Sequence, residues 1–377
     1  MKYKSNHIRI GIDCRDLSIA KTGSRTYLVE LINPFKEAAP NDITLIELNP
    51  FLPVIRIKGK IGKIFKHLQF ICWKQFSLPF LARCKSCDIL ICTDYFLPLL
   101  KGNMKHLVVF HDAFFWEYPH HYNEFWLKLF QHWAVPAAEK ADCVIVPSNY
   151  VKAKLEKLLN TSPSNIKVVF EAPKTFTFIE QEKILLKIQA CTPYLLHVGA
   201  LSKHKNLPFL IEAFEKATSL NYSNWHLMLI GGAPDSMNNN DAEAIKKKIL
   251  ALGLKHRVHL LGYLPDESLT SYYEHASGYV FPSYNEGFGL PMLEAMRFQL
   301  PLAAANNSCL PEIGKDGAIY FDPFNISELS FAIQKIMAGD PAIIDAVHRQ
   351  PQVLASYSWQ QAALEIAAIC RAIPIER

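Results

Sequence analysis

Short, continuous apolar runs alternate along the chain with longer segments in which apolar residues recur every three or four positions. The first pattern is typical of strands buried on both faces of a parallel sheet, and the second of helices that cover such a sheet. Roughly six strand–helix units precede residues 176–192 and six follow them. The pattern predicts an α/β protein with two doubly wound parallel sheets. The predicted strands are residues 8–13, 87–92, 106–112, 142–148, 166–172, 193–199, 225–232, 257–263, 278–281 and 300–305.

The composition agrees with a globular chain of two domains. The chain has 377 residues, of which 50% are hydrophobic and 20% are charged. Nine cysteines lack the spacing of a disulfide framework, and residues 1–7 are too polar for a signal peptide, so we expect a cytoplasmic protein. Cys84-x2-Cys87 has no second pair at a suitable distance, so we expect no metal site there. The net charge of +5 is too small to indicate a nucleic-acid partner.

One stretch, residues 278–294, combines features that suit an anionic ligand. A strand ends at Phe281, a loop with two glycines follows, and Pro291 stands where a helix can begin. Amides at the start of a helix that faces such a loop favour phosphate groups. Glu286 and Glu294 add two carboxylates, which accept hydrogen bonds from hydroxyl groups. The stretch therefore predicts a pocket for a sugar nucleotide, whereas the plain alternative is a surface loop that caps a helix.

Taken together, the loop, its glycines, Pro291 and both glutamates resemble the donor site of retaining glycosyltransferases of the family-4 type. The resemblance implies the GT-B fold, in which two Rossmann-like domains face each other across a cleft. It implies an acceptor-side domain at residues 1–175, a connection at 176–192 and a donor-binding domain at 193–355. A final helix within residues 356–377 is expected to cross back to the first domain.

The resemblance also implies roles for individual residues. Glu286 is expected to hold sugar hydroxyls and support an oxocarbenium-like centre, and Lys205 to neutralise the departing diphosphate. His111 is expected to orient the sugar and the acceptor, and Glu294 to bind the ribose diol. The other residues expected at the donor are Gly23, Lys203, His204, Gly262, Tyr263, Gly287, Phe288, Gly289 and Ser308.

Two departures from the family pattern affect these expectations. Residues 21–27 are predicted to form a loop before a helix that starts at Leu28, but Ser24-Arg25-Thr26 replaces a further glycine usual in that loop. Ala200 stands where many members carry an arginine, so Lys203 or His204 is expected to supply the missing charge.

Plain structural alternatives exist for the candidate side chains. His111 follows an apolar run, where a histidine is often satisfied by neighbouring polar groups, and Asp112 can orient its loop through backbone hydrogen bonds. Lys205 has the alternative of an exposed basic residue at the start of a helix.

Residues 56–85 carry eight Lys or Arg residues among many aromatic and aliphatic ones, and no Asp or Glu. A basic, aromatic-rich amphipathic helix can lie on an anionic membrane surface. The equally weighted alternative is a solvated basic face over a stripe that packs in the core.

The resemblance implies a retaining, metal-independent glycosyltransferase without a cofactor. The expected partners are a nucleotide-sugar donor, with GDP-mannose weakly favoured, and a glycan or lipid-linked glycan acceptor. We expect a role in O-antigen, lipopolysaccharide or other polysaccharide synthesis, in the cytoplasm and at the inner face of the cell membrane. The alternative function is a non-catalytic sugar-nucleotide-binding protein or a sugar-nucleotide epimerase on the same fold.

Overall fold

The computed structural model describes residues 7–20, 23–50, 59–176, 191–219, 221–233 and 237–375. Contacts along the chain define two compact units. The first unit consists of Met1–Glu117, Glu124–Glu171 and Ser358–Arg377, and the second of Tyr118–Asn123 and Ala172–Tyr357. The first unit is therefore built from three separate stretches of sequence.

The first unit contains a six-stranded sheet in the order β2-β1-β3-β4-β5-β6. Every neighbouring pair of strands in this sheet is parallel, so all carboxyl ends lie at one edge, which we call the carboxyl edge. Strands β3 and β5 are buried along their whole length, as expected for central strands of a sheet covered on both faces. The strands are Ile8–Asp13 (β1), Ile43–Leu48 (β2), Ile89–Cys92 (β3), Lys105–Val109 (β4), Cys143–Val146 (β5) and Ile166–Val168 (β6).

A long helical segment of the first unit runs from Gly59 to Cys84. It consists of α-helix Gly59–Cys72, a π-helical segment Trp73–Ser77 and α-helix Leu78–Cys84. A second helical segment has the same construction, with Glu124–Leu129, the π-helical Phe130–Ala134 and Val135–Glu139. The other helices are Arg15–Ile19, Gly23–Ala38, Phe114–Glu117, Asn149–Leu158 and Trp359–Ala372, with a 3₁₀ turn at Pro163–Asn165.

The last helix of the chain packs on the helix Gly23–Ala38 inside the first unit. The rings of Tyr27 and Trp359 meet edge to face with centroids 5.5 Å apart. At the other end of the last helix, Arg371 pairs with Asp42 on the surface.

The second unit repeats the architecture with the strand order β12-β11-β10-β7-β8-β9, again parallel throughout. Its strands are Tyr194–Val198 (β7), His226–Ile230 (β8), Val258–Gly262 (β9), Gly278–Phe281 (β10), Leu302–Ala305 (β11) and Ile319–Phe321 (β12). Its helices are Leu207–Thr218, Ala242–Ala251, Asp266–Glu274, Leu290–Arg297, Leu310–Gly314, Ile326–Ala338 and Pro341–Leu354, with 3₁₀ turns at Pro119–His121, Lys203–Lys205, Met237–Asn239 and Lys315–Gly317.

Several helices begin at a short polar residue whose side chain satisfies a helix N–H group. The capping residues are Ser148, Asn325, Asp340 and Ser358. Such caps satisfy main-chain N–H groups that have no partner within the helix. Ser148 and Asn325 lie between a strand and a helix, and Asp340 and Ser358 lie between two helices, so the caps mark where helices begin in both units.

The predicted fold class, two doubly wound parallel sheets, is confirmed by the topology. Each predicted apolar run contains a strand, and the structure adds β2 and β12, which we did not predict from the sequence. Polar residues Thr44 and Glu47 interrupt β2, and β12 is only three residues long. The predicted domain boundaries stay predictions, and residues 177–190 of the expected connection lie outside the described residues.

The prediction that residues 21–27 form a loop is wrong from Gly23 onward, because the helix begins there rather than at Leu28. Ser24, Arg25 and Thr26 replace a helix-breaking glycine, and none of the three stops a helix. Within the described residues, no helix combines the length and the apolar character that crossing a membrane requires.

We predict that Gly231→Ala destabilises the second unit by about 3 kcal/mol or more. Gly231 has φ +151°, and an added Cβ would lie 1.8 Å from the carbonyl oxygen of Gly199. Thermal unfolding measures the loss. The matched control is Gly253→Ala, since Gly253 also has a positive φ (+67°) but an added Cβ meets nothing within 4 Å. The control is expected to lose only about 1 kcal/mol, and an equal loss in both variants would contradict the steric explanation.

Candidate functional site

The loop after β7 places Lys205 at the carboxyl edge of the second sheet. The 3₁₀ turn Lys203–Lys205 ends at Asn206, whose backbone is left-handed (φ 57°), and the helix Leu207–Thr218 follows. Asparagine tolerates this conformation better than most residues. The Asn206 side-chain amide also donates to the Pro323 carbonyl oxygen at 3.0 Å, which holds the turn in place.

Lys205 forms a buried ion pair with Glu286, from the loop after β10. Lys205 Nζ lies 2.5 Å from Glu286 Oε1, and each side chain is only 11% exposed. Lys205 Nζ also lies 5.2 Å from the centre of the Phe281 ring. The structure therefore brings together a cation and an acid that stand 81 residues apart in the sequence.

The charges around Glu286 keep it ionised. Burial by itself raises the pKa of this carboxyl, but the charge of Lys205, the neighbouring His204 and a hydrogen bond from Lys205 outweigh burial and hold the pKa below its usual value. Glu286 is thus a carboxylate at neutral pH. A carboxylate in this place can stabilise positive charge that develops on a bound sugar.

The loops after β10 and β11 are joined around Glu286. The Glu286 backbone N–H donates to Ser308 Oγ at 3.2 Å, and the Cys309 thiol donates to the Glu286 carbonyl oxygen at 3.3 Å. Gly289 has φ +98°, and an added Cβ would lie 2.8 Å from Leu310 Cδ2, so the loop requires a glycine there. Gly287 and Phe288 are buried between these contacts.

Glu294 lies in the helix Leu290–Arg297, which has Pro291 in its first turn. Its side chain is buried and accepts a hydrogen bond of 2.9 Å from the Tyr273 hydroxyl. Burial raises the pKa of the nearby Tyr279 hydroxyl well above its usual value, and the charges of Glu294 and Glu286 raise it further. The charges of both predicted glutamates therefore raise the pKa of the same buried hydroxyl group, that of Tyr279.

His204 is buried, and its pKa is lowered to about 4 by burial and then by the charge of Lys205. It is uncharged at neutral pH, so of the two residues expected to replace the missing arginine charge, only Lys203 stays a candidate. Gly262 ends β9 with φ +69°, and its carbonyl oxygen accepts from the Gly231 N–H at 2.8 Å. Tyr263, which follows, is exposed.

His111 and Gly23 belong to the first unit, where His111 follows β4 at the carboxyl edge. His111 Nδ1 lies 3.0 Å from Glu171 Oε1, and His111 Nε2 lies 3.0 Å from the Thr93 carbonyl oxygen. Both partners are acceptors, so both contacts are hydrogen bonds when the ring is doubly protonated. Tyr27, in the helix that starts at Gly23, packs edge to face on the His111 ring at 5.0 Å.

These contacts favour the protonated form of His111. Burial lowers the pKa of His111, but the hydrogen bond and charge of Glu171, the charge of Asp112 and the Thr93 carbonyl raise it above its usual value. Asp112 accepts from the Phe114 N–H at 2.9 Å, which is the loop-orienting role given as its alternative from sequence.

Comparison with known sequences then identifies the family. The family description "Glycosyl transferases group 1" matches residues 179–349, and "Glycosyltransferase Family 4" matches residues 26–171, so the two together span most of the chain. The chain belongs to the group 1 glycosyltransferases. The resemblance noted from residues 278–294 is thereby confirmed.

Relatives of this glycosyltransferase agree with that assignment, and similar solved structures agree with its fold. It is 25% identical to O-antigen chain mannosyltransferase B of Escherichia coli, over 67% of each chain. It is 26% identical to O-antigen chain mannosyltransferase RfbU of Salmonella typhimurium, over 72% of this chain and 70% of that one. Sucrose-phosphate synthase from Thermosynechococcus elongatus has a similar fold, with a TM-score of 0.72 at 19% identity over 97% and 98% of the two chains. WaaG, a glycosyltransferase involved in lipopolysaccharide biosynthesis, gives 0.71 at 13% identity over 97% and 100%. The predicted GT-B fold is thus confirmed.

The glycosyltransferase also contains a charged cluster that we did not predict from its sequence. Lys74 is fully buried between Asp13, at 2.6 Å, and Asp94. Trp73 Nε1 donates to Asp13 Oδ1 at 3.0 Å. Burial, followed by the charge of Asp94, raises the pKa of the adjacent Asp16 to about 7. Asp13 ends β1 and Asp94 follows β3, so carboxylates at the carboxyl edge were the available signal in the sequence.

We predict that the His111–Glu171 pair stabilises the glycosyltransferase at acidic pH and that this stabilisation is lost as the pH rises. The folded-state pKa of His111 lies above the unfolded value, so the stabilisation is fully present below the unfolded pKa and is lost as the pH rises through the folded pKa. Thermal unfolding from about pH 6 to about pH 9 measures this loss. Glu171→Gln is expected to lower the Tm at the acidic end and to converge with the wild type at the alkaline end. The control Glu156→Gln, in a partly exposed pair with Lys152, should follow the wild type throughout; a constant difference between wild type and Glu171→Gln would contradict the assignment.

Proposed function

We propose that this glycosyltransferase moves a sugar, with retention of configuration and without a metal ion, from a nucleotide-sugar donor to a glycan or lipid-linked glycan acceptor. The observation that carries the proposal is the buried Lys205–Glu286 ion pair at the carboxyl edge of the second sheet. Ligands of open α/β sheets bind at that edge. GDP-mannose is the first donor to test, because the O-antigen mannosyltransferases of Escherichia coli and Salmonella typhimurium are among the relatives.

The pair supplies opposite charges for the two groups that separate during transfer. The bond between the sugar C1 and the diphosphate oxygen breaks, so negative charge grows on the diphosphate and positive charge on the sugar. The Lys205 ammonium suits the diphosphate and the Glu286 carboxylate suits the sugar, and both already lie in a site with little water. The Ser308 hydroxyl accepts a hydrogen bond from the Glu286 N–H. Ser308 lies on the loop that leads into the helix Leu310–Gly314.

Glu294 supports the donor from the helix Leu290–Arg297. Its hydrogen bond from Tyr273 fixes one carboxylate oxygen, so its orientation is set before a ligand binds. We propose that it binds the ribose diol. Metal independence is supported by the lysine beside the acid and by the lack of an Asp-x-Asp triplet in the sequence.

Two other functions on the same fold give different results in one assay. A sugar-nucleotide-binding protein releases no nucleoside diphosphate, and an epimerase changes the donor sugar without an acceptor. Transfer requires release that depends on the acceptor. Nuclear magnetic resonance of the product gives the anomeric configuration, and a donor screen by thermal shift identifies the nucleotide, since a bound ligand raises the Tm.

We predict that Glu286→Gln lowers kcat by about a hundredfold or more, because it removes the carboxylate but keeps the shape of the side chain. Acceptor-dependent release of nucleoside diphosphate measures the loss. The control Glu243→Gln changes a carboxylate that is 79% exposed, and it should keep full activity.

The ion pair itself requires a second comparison. Removing one charge of a buried pair destabilises a protein by about 3–5 kcal/mol. The double variant Lys205→Gln with Glu286→Gln removes both charges and is expected to recover stability without recovering turnover. Activity close to that of the wild type in Glu286→Gln would exclude this glutamate from the mechanism.

We further propose that the glycosyltransferase contacts anionic membranes through the helical segment 59–84, where a lipid-linked acceptor would be presented. Four side chains at positions related by four-residue steps, Ile64, Leu68, Phe76 and Phe80, are 54–67% exposed and form what we call the apolar row. Lys66 and Arg83 on the same segment, and Lys85 directly after it, are exposed and match the charge of such a surface. The sequence-based expectation for this segment needs one correction: Lys74 is buried with Asp13 and Asp94 and does not contribute to a basic face.

We predict that replacing Phe76 and Phe80 with Ser lowers binding to vesicles that contain phosphatidylglycerol by about tenfold or more, because each buried aromatic side chain contributes about 1.5–3 kcal/mol. Co-sedimentation measures binding, which should weaken with salt. Leu250→Ser, which changes a 64% exposed side chain of the second unit, is the control and should bind like the wild type. The proposal would be contradicted if the wild-type protein did not bind anionic vesicles, or if the double variant bound them as strongly as the wild type.

A further inference from the structure

Three side chains that suit a transition metal meet at the amino ends of the strands in the second unit. Cys191 lies just before β7, His226 is the first residue of β8, and His259 is the second residue of β9. One ligand atom from each residue, a thiol sulfur or an imidazole nitrogen, lies within 4.8 Å of the other two. All three side chains are partly buried. No residue of this cluster belongs to the candidate donor site.

The sheet register explains why the two histidines meet. Met228 of β8 is paired with His259 of β9, and His226 stands two residues before Met228. Residues two apart in a strand point to the same face, so His226 and His259 share one face of the sheet. Their rings are stacked with centroids 5.2 Å apart, and His226 Nδ1 lies 2.9 Å from His259 Nε2.

The short distance between the nitrogens defines the state of the cluster without a metal. One imidazole donates its N–H to the lone pair of the other, so at least one ring is neutral. A divalent cation that displaces this proton gains two nitrogen ligands at once. The Arg257 guanidinium donates to the carbonyl oxygens of Trp225 and Tyr222.

Tetrahedral metal geometry requires only small movements of these side chains. Bonds of about 2.0–2.1 Å to nitrogen and about 2.3 Å to sulfur place the two nitrogens about 3.3 Å apart and each nitrogen about 3.6 Å from the sulfur. The observed nitrogen separation is 2.9 Å, and no ligand atom lies farther than 4.8 Å from another. The two nitrogens must move apart by about 0.4 Å, and each nitrogen–sulfur distance must shorten by at most about 1.2 Å, which are changes that side-chain rotation can supply.

We propose that Cys191, His226 and His259 form a site for Zn²⁺ or another cation of similar softness, with water as the fourth ligand. Thiolate and imidazole select such cations over Mg²⁺ and Ca²⁺, which prefer oxygen ligands. Binding releases the thiol proton of Cys191 to solvent, and the proton between the two histidines moves to the other ring nitrogen of the imidazole that donated it.

The position of the site points to a structural role. Gly199, Gly231 and Gly262 lie at the other ends of the same strands, and five residues at about 3.3 Å each separate the two edges by roughly 15 Å. The cation therefore does not contact the candidate donor residues. It fastens Cys191, which precedes the first strand of the second unit, to two further strands of the sheet.

The experiment uses the full chain, stripped of metal with a chelator and then titrated with Co²⁺ and with Zn²⁺. We expect one Co²⁺ per chain, with thiolate-to-cobalt charge-transfer absorption in the near ultraviolet, and displacement of Co²⁺ by Zn²⁺. Zn²⁺ is also expected to raise the Tm by several degrees, whereas Mg²⁺ should not.

Variants locate the ligands. Cys191→Ser should abolish the charge-transfer absorption, and His226→Gln and His259→Gln should each weaken Co²⁺ binding at least tenfold. The controls are Cys72→Ser and His256→Gln, which change exposed residues of the same types and should bind like the wild type. Circular dichroism of the stripped variants shows whether they are folded, and the two histidine variants give independent readings if Cys191→Ser is not. Absence of saturable Co²⁺ binding by the wild type, or full charge-transfer absorption in Cys191→Ser, would overturn the proposal.

Discussion

A buried pair of opposite charges is the interaction on which the candidate site depends. Removing Lys205 and Glu286 from water is costly, and their attraction offsets that cost only while both are held within hydrogen-bonding distance. The surrounding chain provides that constraint through the left-handed Asn206 on one side and the Ser308 and Cys309 hydrogen bonds on the other. The pair is thus an arrangement of charge that the fold assembles before any ligand arrives, which is the condition for electrostatic catalysis.

The parallel sheets explain why such groups gather where they do. Every strand in each sheet runs in the same direction, so each strand–helix loop brings its polar residues to the carboxyl edge. In the second unit this edge carries Lys205 and Glu286, and in the first it carries His111 and the cluster of Asp13, Lys74 and Asp94. In the second unit, the candidate donor residues therefore lie at the edge opposite to the amino edge, where Cys191 and the two histidines meet.

Much of the fold and part of the site could be predicted from the sequence. The strand Gly278–Phe281 and the helix start near Pro291 follow from a local pattern, and the structure has both. Contacts over long distances in the sequence could not be predicted in this way. The Lys205–Glu286 and His111–Glu171 pairs join residues 81 and 60 positions apart, and no local periodicity encodes either.

Lys74 shows a second limit of local patterns. In a regular helix, its place among exposed basic residues predicts a solvated side chain. The π-helical segment Trp73–Ser77 adds a residue to the turn and changes the faces on which the following side chains lie. Trp73 and Lys74 are both buried, and the charge of Lys74 is balanced by aspartates from two strands.

The divided first unit has a consequence for biosynthesis. The last strand of its sheet ends at Val168, but the helix Trp359–Ala372 that packs on Tyr27 is synthesised only after Ala172–Tyr357 of the second unit. On the ribosome, the apolar surface of the helix Gly23–Ala38 stays uncovered while nearly two hundred further residues are translated. A chaperone that shields this surface during elongation would protect the nascent chain from aggregation.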